Sequence, residues 1–333
     1  MRLTYRPMSP TDGERCLNLL HEGDGFAYDE TTRQRLPELW RNLLRGGAAG
    51  ESAVVEDVDR TDARGIVGFG ISVFVTDGFA DAARTGQTPY LAGRLATRML
   101  AGDWEHVLTP RAVARANGGD GLNLLVLHRG VVREEFDDAE IMRVRAKIVE
   151  SFFAVHTGYR IKQVLIETAD PVEKDLVLNS GSRLITDYAD FWRACPDAAP
   201  PPNGRRPYLL GLTRDQIGEG CRLAPLFLYD DPCFFFRPSE QAVLRAALRD
   251  QTDEEIARAL DVTLWTVRKR WKAIYERVEA ADAALLAASP LAGSEKKRRL
   301  LRYLRDHAEE LRPCEQQRRR CGGGVAAAGA QVQ

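Results

Sequence analysis

Neither sign of charge predominates in this sequence. Its 333 residues hold 47 Lys and Arg against 48 Asp and Glu, a formal net charge of −1 at pH 7. A chain so balanced is not built to coat a polyanion over its whole surface, so any basic function must be local. Cysteines are few and scattered. Cys16, Cys195, Cys221, Cys233, Cys314 and Cys321 include no C-x-x-C pair, and none stands with histidine at ligand spacing. This reads as reduced thiols in a cytosolic protein, against a disulfide framework or a zinc site. No apolar run is long enough to span a bilayer, and "MRLTYRPMSP" offers no apolar signal core. The expectation is a cytoplasmic protein with no membrane contact. Nucleophile-elbow, phosphate-loop and zinc-helix patterns are missing too, so no metal or cofactor is expected.

What is present suits two domains. Hydrophobic residues make up 44% of the chain, enough for a core in each. Residues 1–192 read as mixed α/β. "RLTYRPM" is a strand, and "TDGERCLNLL" a helix start with Thr11 and Glu14 at capping-box spacing. "GIVGFGISVFV" (65–75) and "GLNLLVLH" (121–128) are apolar on both faces, as central strands are. "DDAEIMRVRAKIVESFFAVH" is a long amphipathic helix with Ile141, Val144, Ile148, Phe152 and Val155 on one face. "RIKQVLIET" is a strand, "DPVEKDLVLNSG" a helix stopped at Gly181, and "RLITDY" a closing strand. Residues 193–236, rich in Pro at first, read as a linker and bridging segment. Residues 237–292 read as a helical DNA-binding unit, 293–312 as a basic amphipathic helix, and 313–333 as a disordered tail.

The helical unit carries the densest motif. Pro238 opens a helix with Val243, Leu244, Ala247 and Leu248 on one face. Thr252 and Glu255 stand at capping-box spacing before a second helix that buries Ile256, Ala257 and Leu260. Asp261 marks a tight turn, and Thr263 can cap a third helix that buries Val267, Ile274 and Val278. Trp265, Arg268, Lys269 and Lys272 then share an outward stripe. The arrangement is a helix-turn-helix. The stretch from Phe236 to Val278 resembles the LuxR/GerE-type domain. Glu240, Val243 and Leu244, "EIA..L" from Glu255 to Leu260, Thr266 with Val267, and Ile274, Arg277 and Val278 carry the likeness. Arg270 and Asp261 depart from it, standing where the family usually has histidine and often has glycine. The resemblance implies contact with double-stranded DNA through Thr263, Trp265, Thr266, Arg268, Lys269 and Lys272, by a homodimer. The apolar "ADAALLAASPL", with Leu285, Leu286 and Leu291, is the candidate dimer surface.

The first 190 or so residues resemble a GNAT, the acetyltransferase-like fold, on "YRPMSPTDGERCLNLL", "RGIVGFGISVFV" and "DLVLNSGSRLITDY". The family's pyrophosphate loop, [RQ]-x-x-G-x-[GA], does not follow. After His128 stand Arg129 and Gly130, and then Glu134, Glu135, Asp137 and Asp138, which repel phosphate. A literal match, "RRCGGG" (319–324), follows no strand and opens no helix. Glu56, Glu167 and Tyr188 could act as acid or base, and His21, His106, His128, His156 and His307 are scattered, but nothing in the sequence singles one out, so no catalytic residue is assigned. The expectation is therefore an α+β GNAT-like domain followed by an all-α helix-turn-helix. Its expected role is a DNA-binding transcriptional regulator rather than an enzyme, with a sensory or dimerising N-terminal domain open to a small-molecule or acyl-CoA effector. The alternative is an acyl-CoA-dependent N-acetyltransferase with an appended DNA-binding domain.

Overall fold

The computed structural model describes residues 1–20, 28–46, 49–60, 65–201, 204–286 and 293–315. Strands β1 (Leu3–Pro7), β2 (Ala49–Asp57), β3 (Ile66–Val75), β4 (Leu122–Val131), β5 (Ile161–Thr168), β6 (Arg183–Thr186) and β7 (Tyr208–Thr213) form one seven-stranded sheet in the order β1-β2-β3-β4-β5-β7-β6. β4 and β5 are parallel, and the other pairs are antiparallel. β3 and β4 are buried along almost their whole length, as their two-sided apolar pattern demands.

Helices α1 (Gly13–Asn18), α2 (Glu30–Gln34), α3 (Leu36–Gly46), α4 (Asp77–Thr85), α5 (Leu91–Leu100), α6 (Pro110–Asn117), α7 (Asp138–His156), α8 (Pro171–Asn179) and α9 (Ala189–Ala194) accompany the sheet. One face carries the main core, where Leu36, Leu39, Trp40 and Leu43 of α3 and Leu95 of α5 meet Phe69, Ile71, Leu125 and Leu165. The long helix α7 lies across the other face, against β1 to β4. Its approach is close at β3, where a Cβ added at Gly68 would stand 2.9 Å from Val144 and Ile148.

Three local expectations change. The Thr11/Glu14 box does not form. Asp12 precedes α1 instead, and its carboxylate takes the Ser9 amide at 2.6 Å and Arg6 at 2.7 and 3.0 Å. Residues 208–213, read as part of a bridging segment, are strand β7, wedged between β5 and β6. On the third C-terminal helix, Trp271 joins the buried row, 5% exposed, with its indole N–H on Asp253 at 3.2 Å.

The C-terminal helices are α10 (Pro238–Ala247), α11 (Asp253–Ala259), α12 (Leu264–Ala281), α13 (Ala283–Leu286) and α14 (Gly293–Asp306). Thr252 and Glu255 form the reciprocal capping box ahead of α11. Their core holds Phe234, Phe236, Leu244, Ile256, Val267, Ile274, Leu300 and Leu304. Leu286 is buried in that core and Leu285 is packed on it, so these two are spent within the chain rather than held for a dimer. Leu291 and residues 316–333, which include the "RRCGGG" match and most of the expected tail, lie outside the described residues. No described helix is long and apolar enough to cross a membrane.

Two buried charged residues fix the end of this layer, and one of them joins it to α7. Glu310 accepts the amides of Cys233 at 2.7 Å and Phe234 at 3.0 Å. Arg312, 7% exposed, donates to Thr157 O at 2.9 Å and Ala154 O at 3.3 Å, at the C-terminal end of α7, and lies over the Tyr159 ring. A cation there also meets the negative end of the helix dipole. Removing the Glu310 carboxylate strands two donors, of which the Phe234 amide is buried. Glu310→Ala is expected to lower stability by about 3 kcal/mol, read as a reduced urea midpoint of the full chain. An unchanged midpoint would mean that these contacts do not hold the segment.

Candidate active site

The sheet is breached where its parallel strands part. The β4–β5 ladder runs from Leu122/Ile161 to Val126/Ile166 and stops. β4 continues to Val131 on β3, and β5 continues to Thr168 on β7. A register shift in the β3–β4 pairing, between Ile71/His128 and Ser72/Val126, marks the same point on β4. The facing edges beyond Val126 and Ile166 no longer share hydrogen bonds, and a wedge opens between the two faces of the sheet.

Arg129 spans that wedge from β4. Its Nη2 donates to the backbone oxygen of Glu167 at 3.0 Å and to Glu173 of α8 at 2.6 Å, while Nε also meets Glu173. Thr168 Oγ1 donates to the same carboxylate at 2.7 Å. Burial alone would raise the Glu173 carboxyl, but the Arg129 charge and these hydrogen bonds outweigh it and hold the group ionised.

On the α3/α5 side, a polar cluster interrupts the apolar core. Trp40 and His128 are 1% and 0% exposed, and the Trp40 indole N–H donates to His128 Nδ1 at 3.1 Å. An indole only donates, so Nδ1 is the bare nitrogen and Nε2 carries the proton toward Tyr28 Oη. Burial, aided by the Arg129 charge, holds His128 down to about 3, so the ring is neutral. Beside it lies Glu167, 2% exposed on β5. Oε2 accepts the Ala92 amide at 3.3 Å, at the start of α5, where the N-cap residue Tyr90 supplies no side-chain cap. Tyr188, 1% exposed, hydrogen-bonds to Glu167. Burial raises Tyr28, Tyr90 and Tyr188, and the Glu167 charge adds to it in each.

Glu167 is the decisive group. Burial pushes its carboxyl up to about 7, against the Leu91 and Ala92 amides, Tyr188 and Arg94, which pull the other way. Capping α5 accounts for Oε2 only. Oε1 is buried with no hydrogen-bond partner among the described residues, and so is Tyr90 Oη. Two orphaned polar atoms in one cluster mark a place built to take a polar ligand atom. Tyr90 and Tyr188 also both adopt left-handed backbone, with φ of 61° and 54°, which places their rings at the cost of local strain.

The residues that sequence reasoning selected lie elsewhere. Thr263 caps α12 by accepting the Thr266 amide at 3.1 Å, and Trp265 is 67% exposed under the Lys269 ammonium. Arg268, Lys269 and Lys272 are exposed along the first half of α12, and Thr266 is half-buried. The charges around them have local partners. Lys272 pairs with Glu276, Lys296 with Glu279, and Lys297 with Asp253 while resting over Trp271.

No family model matches this sequence, and no curated protein matches it. Solved structures resemble it. NAA60 of Arabidopsis thaliana in complex with acetyl-CoA is 16% identical over 64% of this chain and 99% of that chain, with a TM-score of 0.37. The C-terminal condensation domain of Ebony in complex with beta-alanyl-dopamine is 13% identical over 64% and 99%, with a TM-score of 0.41. The ribosomal-protein-S18-alanine N-acetyltransferase of Escherichia coli is 10% identical over 66% and 97%, with a TM-score of 0.34. These likenesses are of fold alone, a mixed α/β sheet. They correct the main functional expectation. The expectation was a DNA-binding transcriptional regulator partnered by double-stranded DNA, whereas the similar structures are acetyltransferases and a condensation domain by name. Nothing in them supports the LuxR/GerE-type resemblance.

The buried carboxyl has a signature in stability. An ordinary glutamate titrates near 4.5, and Glu167 in the folded chain near 7. Between those values the folded chain keeps a proton that the unfolded chain has lost. The contribution is thus fully present below about 4.5 and is lost as pH rises through about 7. A shift of this size corresponds to a loss on the order of 3 kcal/mol. Urea midpoints at pH 5 and pH 8 should fall in the parent chain and fall distinctly less in Glu167→Gln. Parallel falls would show that Glu167 is not protonated by burial.

Proposed function

We propose that the chain is an N-acyltransferase that moves an acyl group from a thioester to an amine. The observation that carries this is the Glu167 carboxyl, poised near neutral pH with a free oxygen beside the wedge of β4 and β5. A base of that strength suits removal of a proton from an amine at physiological pH. The wedge suits the donor. An extended arm bearing amides can lie between two strand edges that have stopped pairing with each other, as a peptide adds to a sheet edge. The thiol-bearing pantetheine arm of an acyl thioester has that chemistry.

The nucleotide end of acetyl-CoA does not fit the turn after β4. That turn carries Glu134, Glu135, Asp137 and Asp138. Asp137 and Glu140 already form a capping box that occupies amides at the head of α7, and Glu135 is paired with Arg60 at 2.8 Å. No pyrophosphate seat is assigned there.

In the proposed step Glu167 takes the amine proton at Oε1. That proton leaves as the nitrogen of the neutral amine forms its bond to the thioester carbonyl carbon. Tyr90, a protonated phenol with its hydroxyl free among the described residues, donates to the oxyanion as charge builds. Collapse breaks the carbon–sulfur bond, and the proton held by Glu167 leaves with the thiol. Tyr188 positions the carboxylate throughout.

Release of free thiol from acetyl thioesters, offered with a panel of primary amines, tests the reading. Activity is expected to rise with pH through about 7 and then level off. Glu167→Gln should lower kcat by roughly 10²- to 10⁴-fold and erase that inflection. Absence of thiol release across the panel, or a variant with full activity and an unchanged profile, would defeat it.

A further inference from the structure

The wedge leads into a cavity of about 200 Å³ between α7, α8 and the sheet, and its surface is mostly apolar, with Arg129, Arg133, Arg145 and Glu173 also among the lining residues. The space begins at one glycine. A Cβ added at Gly70 would meet only Ile148, at 3.8 Å, whereas the same atom at Gly68, two residues earlier on β3, would be crowded at 2.9 Å. Gly70 pairs across the sheet with Ala53, another small residue, so two neighbouring strands withhold side chains at the same spot. Ile148 and Phe152 of α7 form the roof. Polar atoms on the floor are committed to one another. Ser72 Oγ and His156 Nε2 are 2.7 Å apart, and His156 Nδ1 lies 2.7 Å from Phe152 O. At the mouth stand Leu176 and Val149, 39% and 53% exposed.

The geometry points to this cavity as the seat of the donor's acyl chain, and to a chain of medium length rather than acetyl. The inference rests on the acyltransferase reading and names its donor class. A thioester carbonyl held in the wedge has only a methyl group left to place if it is acetyl, and this would leave the space beneath α7 empty. Apolar cavities of about 150 Å³ stay dry and take a benzene-sized guest, so this one suits a tail of about six to eight carbons. Each buried methylene contributes roughly 0.8 kcal/mol, close to a fourfold gain in affinity. The chain also supplies the grip that the acidic turn cannot give to a pyrophosphate.

Calorimetry of the full chain with S-acetyl-pantetheine and S-octanoyl-pantetheine tests this, with thiol release measured in parallel. Octanoyl is expected to bind at least tenfold tighter than acetyl. Gly70→Val places two methyl groups in the cavity and should remove most of that preference. Phe152→Ala, which opens the roof, should move the preferred chain toward dodecanoyl, and a thermal melt of each variant reports whether it is folded. Equal binding of the two thioesters, or an octanoyl preference that neither folded variant changes, would overturn the assignment even if acetyl thioesters are turned over. An octanoyl preference that the variants shift, without thiol release, would leave an acyl-chain site and defeat the transferase reading alone.

Discussion

β4 and β5 share hydrogen bonds only as far as Val126 and Ile166, although both strands continue. The rest of the structure answers that parting. Backbone groups on an interior edge need partners, and β3 and β7 meet the need on the outer sides only. Arg129 then reaches across the gap to the Glu167 carbonyl and is fixed by Glu173. The same breach makes the two faces of the sheet neighbours, with an apolar cavity on one side and a titratable cluster on the other.

Burial and hydrogen bonding compete within that cluster, and their balance differs residue by residue. Glu173 is less enclosed than Glu167, and a guanidinium keeps it ionised. Glu167 has amides and a phenol instead, which stabilise its charge less than desolvation disfavours it. Two glutamates six positions apart thereby take different protonation states near neutral pH. His128 completes the contrast. Its indole partner requires a bare nitrogen, which agrees with the neutral ring that burial imposes.

The strong periodic elements were legible in the sequence. The two-sided apolar runs are β3 and β4, the amphipathic stretch is α7, and the Thr252 cap forms as its spacing implies. Strand β7 was not, because "YLLGLT" follows a Pro-rich stretch and its partners, β5 and β6, come earlier in the chain. Asp12 displaced Thr11 as the organiser of α1 because Arg6 and the Ser9 amide converge on it, which spacing does not report. The candidate site was visible only as residue types. Glu167 and Tyr188 read as ordinary acids, since what sets them apart is enclosure by Tyr28, Tyr90 and the head of α5, segments far apart in sequence. The basic stripe of α12 misled for the opposite reason. A run of Lys and Arg on an exposed helix face stands out in one dimension whether or not anything binds to it.

Gly158 stands at the seam between sheet and C-terminal helices, with φ of 87°. A Cβ there would lie 2.5 Å from the backbone of Ala308 and Glu309. Asn117 closes the same seam through Pro313 O at 2.9 Å, and Arg312 caps α7 beside it. The halves therefore meet backbone to backbone, a contact that no side-chain repacking can relieve. Such a joint limits how the chain can have been assembled over time. A helical unit borrowed from elsewhere would have to arrive with a matching bare surface, so this seam works against exchange of these helices as a portable cassette.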